Sequence, residues 1–472
     1  MPVGFAILGA KFAARGPDEQ WLKVLFALAW PVSGAMLGAW MDGEVILLWP
    51  ATLLLVATLL SGAPIFVVLG GLALALFASD GLPIASIALS HYQITVNPSL
   101  PALPLFTLAG LIFAKTHAAG RLGTLFIAIF GHGVWGTVIA ATVLCSFFTA
   151  FTGGSGVTIL ALGGLLLPLL KNVGYPEQRS IGLVTSASAL GVLLAPSVPL
   201  IMYAIIARVP INTMFVAGLV PAVVMVVCLL LFGGYLRVSQ ASTTADSNQH
   251  VLGGAISRAK WEILAPFVAI GSLVSGLATP TESAALTAVY AVLTQAFAHK
   301  ELSWRLMGEC LSQCTQIIGG VMLILGMALG LTNYLVDAGI PDLATEWVQG
   351  ITQNKFVFLL ALNIFLFIAG ALMEIYAAIV VLVPLLLPLA ISYGIDPVHF
   401  GIIFLANMEM GFLCPPAGMN IFFASAVFKQ PIKAVAISVM PALVAIFVGT
   451  MLISWLPLVA LGLPQYLGQM TQ

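Results

Sequence analysis

The sequence predicts an all-α polytopic membrane protein. Of its 472 residues, 61% are hydrophobic and only 7% are charged, whereas soluble globular chains carry about 25% charged residues. The longest apolar runs reach the ~20 residues that a transmembrane helix needs, and they lack the alternation over ~10 residues that is typical of outer-membrane strands. The 16 Lys and Arg residues nearly balance the 17 Asp and Glu residues. The composition therefore places the chain in a lipid bilayer and excludes a soluble enzyme or a nucleic-acid partner.

Fifteen apolar segments are the predicted membrane helices, half-helices and hairpin arms. They are 24–41, 46–61, 64–78, 101–114, 134–151, 156–170, 181–207, 213–235, 262–278, 282–298, 306–332, 356–373, 375–390, 399–428 and 434–457. Residues 1–23 predict an amphipathic cytoplasmic lead-in rather than a secretory signal, because their apolar stretch breaks at Lys11. Segment 121–132 is amphipathic and predicts a helix along the membrane surface.

A polar, Ser/Thr-rich stretch divides the chain into two halves. Residues 237–260 predict a cytoplasmic linker. Residues 1–45 form the lead-in with an extra helix, 46–236 the first half and 261–472 the second half. One alternating path through the bilayer puts every Lys and Arg except Arg208 and Lys355 on one side. By the positive-inside rule, that side is the cytoplasm.

The two halves contain an internal repeat, 101–211 and 306–432. LLLPLLKNVGYP (165–176) matches LLLPLAISYGIDP (385–397) at an offset of 220, and APSVP (195–199) matches CPPAG (414–418) at an offset of 219. The loop with Lys115 and Arg121 corresponds to one that contains aspartates and no base. Equivalent loops therefore lie on opposite sides of the membrane. Such an inverted-topology repeat is typical of secondary transporters, whose binding site lies near the midplane.

Each repeat contains a hairpin tip followed by a helix with helix-breaking residues. The tips are TGGSG (152–156) and ALMEIY (371–376), and the broken helices are 186–199 and 407–420. Proline removes an amide donor and interrupts a helix, and irregular backbone inside a bilayer survives only where it is buried in protein or lines a wet cavity. We expect two re-entrant helical hairpins and two broken helices to provide two cation sites flanking an anionic substrate.

Three acidic residues carry alternative interpretations. An acid at mid-membrane costs about 2.5–3.5 kcal/mol. Glu374 is a candidate cation ligand or a helix-end partner, and Glu409 is a proton site, a cation site or a structural residue. Thr279 and Glu282 have the spacing of a capping box. The five cysteines lie in or beside apolar stretches, where buried packing is their ordinary role.

Several stretches together resemble the large membrane subunit of the tripartite ATP-independent periplasmic (TRAP) transporters. They are PLFTLAG (104–110), the GGSG tip (153–156), LLLPLLKNVGYP (165–176), ATPTESAA (278–285), LLLPLAISYGIDPVHFGII (385–403) and CPPAGMNIFFAS (414–425). Three positions depart from the family pattern: Ala195-Pro196 replaces a double proline, Glu374 replaces an aspartate, and Val157 follows Ser155-Gly156 in place of a second serine.

The resemblance implies a sodium-driven elevator transporter of the bacterial inner membrane, in which a mobile domain crosses the bilayer against a scaffold. It also implies two protein partners, a small four-helix membrane subunit and a periplasmic protein that delivers a small organic acid. Na⁺ is then the coupling ion, and no organic cofactor is expected. The identity of the acid is left open.

We predict the ion and substrate sites at the tips and breaks. The first sodium site comprises Gly153, Gly154, Ser155, Gly156, Ser186, Ser188 and Ser197. The second comprises Glu374, Asn407, Pro415, Gly418 and Asn420. The substrate contacts Ser155, Ser188, Pro196 and Asn420. No catalytic residues are expected. The alternatives are a stand-alone divalent-anion/sodium symporter, a passive channel and, least favoured, an intramembrane enzyme, for which no catalytic set is found.

Overall fold

The computed structural model describes residues 48–60, 64–131, 133–237, 249–416 and 418–468, and within these ranges it contains helices and connecting loops but no strand. The prediction of an all-α protein is confirmed. Segments 1–23 and 24–41 lie outside the described residues. The chain divides into two compact units, Met1–Ser86 and Ile87–Gln472.

Two apolar helices are described in the first unit. Helix α1 (Leu48–Leu60) packs against α2 (Ile65–Ser79). Helix α2 begins directly after Pro64, where the missing amide hydrogen costs nothing. A third helix, α3 (Ala85–Thr95), spans the boundary between the two units.

The first repeat is described in full except for His132. Its helices are α4 (Ala102–Lys115), α5 (Ala118–Phe130), α6 (Val134–Thr152), α7 (Ser155–Asn172), α8 (Glu177–Ala187), a 3₁₀ segment (Leu190–Leu193), α9 (Val198–Ala207) and α10 (Ile211–Phe232). Helices α4 and α5 meet at an angle of 75°, because the chain is extended at Thr116 between them. Helix α5 corresponds to the predicted amphipathic segment 121–132.

The connection between the repeats is more helical than the sequence indicated. Helix α11 (Gln249–Val274) is followed by α12 (Pro280–Leu293) and a π-helical turn (Thr294–Ala298). The predicted linker 237–260 is therefore helical from Gln249 onward, because buried Ala255 and Ala259 lie one turn apart and give this stretch an apolar face. Residues 238–248 lie outside the described residues.

The second repeat repeats this element order. Its helices are α13 (Trp304–Asp337), α14 (Ile340–Ile351), α15 (Lys355–Leu372), α16 (Ile375–Ser392), α17 (Pro397–Gly411), α18 (Met419–Phe428) and α19 (Ile432–Trp455), and α20 (Pro457–Tyr466) follows. Helices α7 and α16 both have 18 residues, and α9 and α18 both have ten. Both predicted helix breaks are present, between α8 and α9 and between α17 and α18.

The core of the second unit is built across the two repeats. Helix α7 of the first hairpin packs against α18 of the second repeat, and α16 of the second hairpin packs against α9 of the first. Eight helices among the described residues are long and apolar enough to cross a membrane, or nine if α4 and α5 form one span. The domain boundaries, the re-entrant path of the hairpins and the opposite orientation of the repeats in the bilayer stay predictions.

Candidate functional site

The first hairpin tip reverses the chain within two residues. Helix α6 ends at Thr152, and Gly153 follows in the left-handed conformation with a φ of 70°. A Cβ atom on Gly153 would lie 2.7 Å from Val198 of α9. Both the φ angle and this close approach require glycine. Gly154 precedes α7 and has no side chain that could cap the helix. The first tip therefore has no N-cap carboxylate for the N-terminal amides of α7.

The second hairpin tip has the same plan but includes a carboxylate. Glu374 precedes α16 and accepts hydrogen bonds from the backbone N–H of Tyr376 at 3.0 Å and of Ala377 at 3.3 Å. Glu374 thus makes the contacts of a helix-end partner, and its alternative role as a cation ligand stays a prediction. Its counterpart at the offset of 220 is Gly154. The two tips therefore differ by one carboxyl group at equivalent positions.

Direct hydrogen bonds join the two hairpin tips and the second broken helix. The Tyr376 hydroxyl donates to the carbonyl oxygen of Gly153 at 2.9 Å. The Ser155 hydroxyl donates to Asn420 Oδ1 at 2.7 Å, and Asn420 Nδ2 donates to the carbonyl oxygen of Thr185 at 3.4 Å. Since Asn420 is 1% exposed, these contacts are shielded from solvent. Two of the four predicted substrate residues, Ser155 and Asn420, are thus in contact.

A cluster of threonine hydroxyls lies beneath the first tip. The hydroxyl of Thr149 donates to the carbonyl oxygen of Ser188 at 2.8 Å, and Thr149 Oγ1 lies at hydrogen-bond distance, 2.7 Å, from the hydroxyl oxygen of Thr158. Thr152 Oγ1 lies 3.2 Å from Thr158 Oγ1 and 3.4 Å from the carbonyl oxygen of Gly154. All three threonines are at most 2% exposed. We call Thr149, Thr152 and Thr158 the threonine cluster. Its oxygens are the kind of ligand that hard cations prefer.

The serines of the predicted first sodium site do not all point to the tip. Ser188 contributes its carbonyl oxygen to the threonine cluster, while its hydroxyl donates to Val184 within its own helix at 2.7 Å. Ser186 lies one helical turn after Gly182, where an added Cβ atom would lie 3.1 Å from the Tyr235 hydroxyl. The hydroxyls of Ser186 and Ser197 are buried and have no hydrogen-bond partner among the described residues. Pro196 is buried in the loop before α9.

The predicted second sodium site is divided between two places. Asn407 Nδ2 donates to Asn363 Oδ1 of α15 at 2.6 Å, and Ser454 of α19 donates to the same oxygen at 3.0 Å. The Oδ1 atom of Asn407 is buried and has no hydrogen-bond partner among the described residues. The break itself lies at Pro415 and Gly418, where a Cβ on Gly418 would lie 2.5 Å from the carbonyl oxygen of Phe412. No hydrogen bond among the described residues joins Glu374 to Asn407.

A second acid is buried between the two broken helices. Glu409 of α17 is 0% exposed. Its Oε1 atom accepts a hydrogen bond from the backbone N–H of Leu193 at 3.2 Å, and its Oε2 atom has no partner among the described residues. Glu409 therefore joins the second broken helix to the 3₁₀ segment of the first.

An ion-pair network holds α5 to the connection between the repeats. The guanidinium of Arg121 donates to Glu262 Oε1 at 2.7 and 2.9 Å, to Glu301 Oε1 at 2.6 Å and to Gln295 Oε1 at 3.0 Å. Burial alone would raise the pKa of Glu301, but the hydrogen bonds from Arg121 and from the backbone N–H of His117 outweigh it, so this pKa lies below its usual value of 4.5. The amphipathic helix α5 is thus fastened to α11 and the π-helical turn.

The sequence reasoning missed several polar residues of the site. The threonine cluster had a signal, because Thr149 and Thr152 are spaced i, i+3 in an apolar helix and so share a face. Asn363 also had a signal in the sequence, since a side-chain amide within an apolar span needs a polar partner. Tyr376 had none beyond its place at the tip. No group of three or more His, Cys, Asp and Glu side chains that could hold a metal ion occurs among the described residues.

Comparison with known proteins identifies the family. Residues 52–459 match the family model described as the tripartite ATP-independent periplasmic transporter, DctM component. The chain belongs to this family of large TRAP transporter subunits. It is 32% identical over 438 residues to the C4-dicarboxylate TRAP transporter large permease protein DctM of Rhodobacter capsulatus, with 88% of this chain and 98% of that protein covered. The resemblance found in the sequence is therefore confirmed.

Further relatives place the chain among TRAP permeases that differ in their named cargo. It is 28% identical over 382 residues to the sialic acid TRAP transporter large permease protein SiaM of Vibrio cholerae, covering 78% of this chain and 87% of that protein. The isethionate TRAP transporter permease protein DctMQ of Oleidesulfovibrio alaskensis is 33% identical over 399 residues, with 84% of this chain and 63% of that protein covered. These proteins are named permeases, so the chain is a multi-pass transporter subunit and not an enzyme, as predicted.

A solved structure supports the fold. The YdaH transporter of Alcanivorax borkumensis superposes with a TM-score of 0.57 at 15% identity, covering 86% of this chain and 97% of that one. At this identity the likeness concerns the fold alone.

Proposed function

We propose that this TRAP permease imports a small organic acid into the bacterial cytoplasm with Na⁺ as the coupling ion. In this proposal it acts in the inner membrane together with a small four-helix membrane subunit and a periplasmic binding protein that delivers the acid. The names of the C4-dicarboxylate, sialic acid and isethionate relatives support a small anion as cargo. The observation that carries the proposal is that the two hairpin tips meet through Tyr376 and Gly153, and that Ser155 of the first tip hydrogen-bonds Asn420 of the second broken helix.

The first sodium ion binds, in this proposal, at the threonine cluster and the carbonyl oxygens of Gly154 and Ser188. These oxygens fit a hard monovalent cation, because they are uncharged and protected from water by the packing of the hairpin. The second ion binds near the break at Pro415 and Gly418, with Asn407 Oδ1 as a further candidate ligand. The buried, unpartnered state of that oxygen supports its inclusion.

The cargo carboxylate binds, in this proposal, at the N-terminus of α7. A helix N-terminus offers free amide donors and a positive dipole end. At the equivalent end of α16 the carboxylate of Glu374 already accepts those donors, whereas Gly154 leaves them open at α7. Ser155 and Asn420 then hydrogen-bond the rest of the anion, and Ser188 and Pro196 complete the predicted contacts.

Transport follows the elevator scheme, in which the hairpins and broken helices move as one body against a scaffold that includes α11, α12 and α13. Two Na⁺ ions entering down about 100 mV release about 4.6 kcal/mol, at about 2.3 kcal/mol per charge. A monovalent anion cancels one of these charges. The remaining ~2.3 kcal/mol supports roughly a fiftyfold accumulation before the sodium gradient is added.

The test is uptake into proteoliposomes that contain both membrane subunits, with the binding protein outside. We expect Thr149→Val to raise the Na⁺ concentration for half-maximal uptake by about tenfold or more, since about 1.4 kcal/mol of lost ion binding suffices. Thr142→Val is the matched control, because Thr142 is equally buried in α6 but donates only to Val138 of its own helix at 2.9 Å.

Three outcomes would contradict the proposal. Uptake that ignores Na⁺ rejects the coupling ion. Equal Na⁺ dependence in the Thr149 and Thr142 variants rejects the threonine cluster as the ion site. Uptake that needs no binding protein favours the stand-alone symporter instead.

A further inference from the structure

Two basic residues end the two half-helices that begin at the candidate site. Helix α9 begins at Val198, which lies against the first hairpin tip, and Arg208 follows its last residue. Helix α18 begins one residue before Asn420, which hydrogen-bonds Ser155 of the first tip, and Lys429 follows its last residue. Each of the two helices has ten residues. At 1.5 Å per residue, both basic residues therefore lie about 15 Å along a helix from the proposed cargo position.

Arg208 and Lys429 also share a backbone conformation that side chains rarely adopt. Their φ angles are 56° and 52°, and among the described residues Lys300 is the only other non-glycine residue with a positive φ. The left-handed position after a helix is usually glycine, and Gly153 takes it at the end of α6. The helix dipole favours a cation at a helix end, which is one reason for a basic residue here. The position of both residues relative to the site gives a second.

Neither basic side chain is engaged by another part of the chain. Arg208 and Lys429 are exposed, and their side chains form no ion pair or hydrogen bond within the part of the chain that the structure describes. Lys355, the other basic residue predicted on the outer side, differs, because its ammonium group donates to the carbonyl oxygen of Gly394 at 2.9 Å. The charges of Arg208 and Lys429 are therefore available to a mobile anion.

The first half-helix ends on one side of the site. Helices α8 and α9 together form one candidate membrane span, Glu177–Ala207. The span starts at Glu177, and Arg208 lies just beyond its other end. The break between α8 and α9, which belongs to the candidate site, lies between these two ends.

The second half-helix ends on the opposite side, near the start of that span. Helix α18 runs beside α7 in the same direction, because Ser155 hydrogen-bonds Asn420 near their starts and an added Cβ atom on Gly163 would lie 2.8 Å from Val427 farther along. Only four residues connect the end of α7 to the start of α8, so Lys429, after α18, lies on the side where the span begins. The two basic residues thus lie on opposite sides of the site.

A positive charge at this distance acts on an anion without touching it. One elementary charge about 15 Å away changes the local concentration of a monovalent anion by roughly 1.5-fold in water and by roughly sixfold at an effective dielectric constant of about 20. Salt weakens this effect, because the Debye length is about 30 Å at 0.01 M ionic strength and about 8 Å at physiological ionic strength. A path that carries an organic acid past two such charges therefore has a salt-sensitive attraction at each of its mouths.

We propose that Arg208 and Lys429 are anion-guiding residues at the two mouths of the transport path. Arg208 attracts the small organic acid as it enters from the outer side, and Lys429 acts on it at the cytoplasmic side. The ligand class at both positions is a carboxylate or another small anion, and neither residue contacts the bound cargo. The direction of transport rests on the proposed function, and the assignment of the two sides rests on the predicted topology.

The entry test uses proteoliposomes with both membrane subunits, a fixed Na⁺ gradient and saturating binding protein loaded with radiolabelled succinate, a C4-dicarboxylate. At low ionic strength we expect Arg208→Gln to lower the uptake rate by about twofold or more and Arg208→Lys to keep it. Raising the ionic strength with choline chloride at constant Na⁺ should remove most of this difference.

Lys355→Gln is the matched control for the entry test. It removes a positive charge on the same predicted side, but Lys355 begins α15, whose 18 residues put it about 27 Å along that helix from the second hairpin tip. Because the interaction falls with distance and with screening, this variant should lower the uptake rate less than Arg208→Gln does.

The exit test varies unlabelled succinate inside the proteoliposomes while uptake from outside is measured. The external binding protein selects transporters of one orientation, so the internal anion meets the cytoplasmic side. We expect Lys429→Gln to raise the internal concentration that halves net uptake by about twofold or more, whereas Arg208→Gln should leave it unchanged. Lys171→Gln is the matched control, because Lys171 lies near the end of α7, about 25 Å along that helix from the first tip.

A purely structural role of the two residues is tested by Arg208→Gly and Lys429→Gly. Glycine adopts the left-handed conformation without strain, so both variants should fold, which size-exclusion chromatography and unfolding in detergent verify. In transport they should behave like the glutamine variants.

The proposal is overturned if Arg208→Gln lowers the uptake rate no more than Lys355→Gln, if the loss is independent of ionic strength, or if either variant fails to act on its own side. A change confined to the binding-protein concentration for half-maximal uptake, with the maximal rate unaltered, assigns Arg208 to docking of that protein and also overturns the proposal. Wild-type uptake that ignores Na⁺ counts against the proposed function instead, because the comparison of the variants then still measures the guidance of the anion.

Discussion

Removal of Arg121 should destabilise the protein strongly, because it leaves a carboxylate buried without its main partner. The Arg121 side chain is 14% exposed, and the Glu262 side chain only 1%. In Arg121→Ala, the partners that Glu262 Oε1 keeps among the described residues are Gln295 Nε2 at 3.1 Å and the ring of His299 at 3.2 Å. Removing one partner of a buried ion pair costs about 3–5 kcal/mol. The Arg121–Glu301 pair lies nearer the surface and adds about 1 kcal/mol at most.

The chain offers a matched control for this prediction. Lys171 and Glu177 also form an ion pair at 2.7 Å, but their side chains are 48% and 43% exposed. Lys171→Ala should therefore cost less than about 1 kcal/mol. The measurement is the free energy of unfolding in detergent micelles, from denaturant titration followed by tryptophan fluorescence, with size-exclusion chromatography to verify that each variant is monodisperse.

A double variant separates the buried charge from other effects of the substitution. Arg121→Met with Glu262→Met removes both charges and keeps most of the volume, and such replacements are often neutral. We expect this variant to recover most of the stability lost in Arg121→Ala. If Arg121→Ala is no more destabilising than Lys171→Ala, Arg121 does not fasten α5 to α11 and the reasoning is refuted.

Two further predictions concern pH and cargo. The pKa of Glu301 in the folded protein lies below its ordinary value of 4.5. The ionised side chain therefore stabilises the fold fully above pH 4.5, and this stabilisation disappears as the pH falls through the folded pKa. The difference in unfolding free energy between wild type and Glu301→Gln should thus shrink between about pH 7 and about pH 3, and a constant difference would contradict this. Ser155→Ala leaves Asn420 Oδ1 without its donor, at about 1–3 kcal/mol for a buried acceptor. Its apparent cargo affinity in the uptake assay should fall about fivefold or more, whereas Ser425→Ala, at the end of α18, should change it less than twofold.

Much of the fold was predictable because hydropathy and helix-breaking residues act locally. The hairpin tips at Gly153 and Glu374 and the breaks before α9 and α18 lie where the glycine and proline pattern put them. The linker was not predictable in detail. Its Ser/Thr-rich start resembles a loop, but buried Ala255 and Ala259 need a neighbouring helix to become an apolar face, and that neighbour is far away in the sequence.

The site was predictable at the level of segments and less so at the level of atoms. A serine on a broken helix can point to the tip or back into its own helix, and only packing decides between these. Ser188 donates to Val184, and its carbonyl oxygen rather than its hydroxyl reaches the threonine cluster. The Asn407–Asn363 contact joins helices 44 residues apart in the sequence, so no spacing rule within one helix indicates it.

The difference between the two hairpin tips is the strongest argument for their separate roles. The two repeats have two equivalent helix N-termini, those of α7 and α16, and a helix N-terminus is a favourable position for an anion. In the second tip that position is filled by Glu374, whose carboxylate is part of the chain and so always present. In the first tip, Gly154 makes no side-chain cap at α7, and in the proposed function the cargo carboxylate takes that position. Placing a glutamate at the first tip, as in the second, tests these separate roles directly. Gly154→Glu would place a tethered carboxylate at the first tip and should compete with cargo, raising the cargo concentration for half-maximal uptake, whereas Gly154→Gln, of similar size but uncharged, should raise it less. Equal effects of the two substitutions would mean that side-chain bulk, rather than the negative charge, blocks the site, and the assignment of the cargo carboxylate to α7 would then fail.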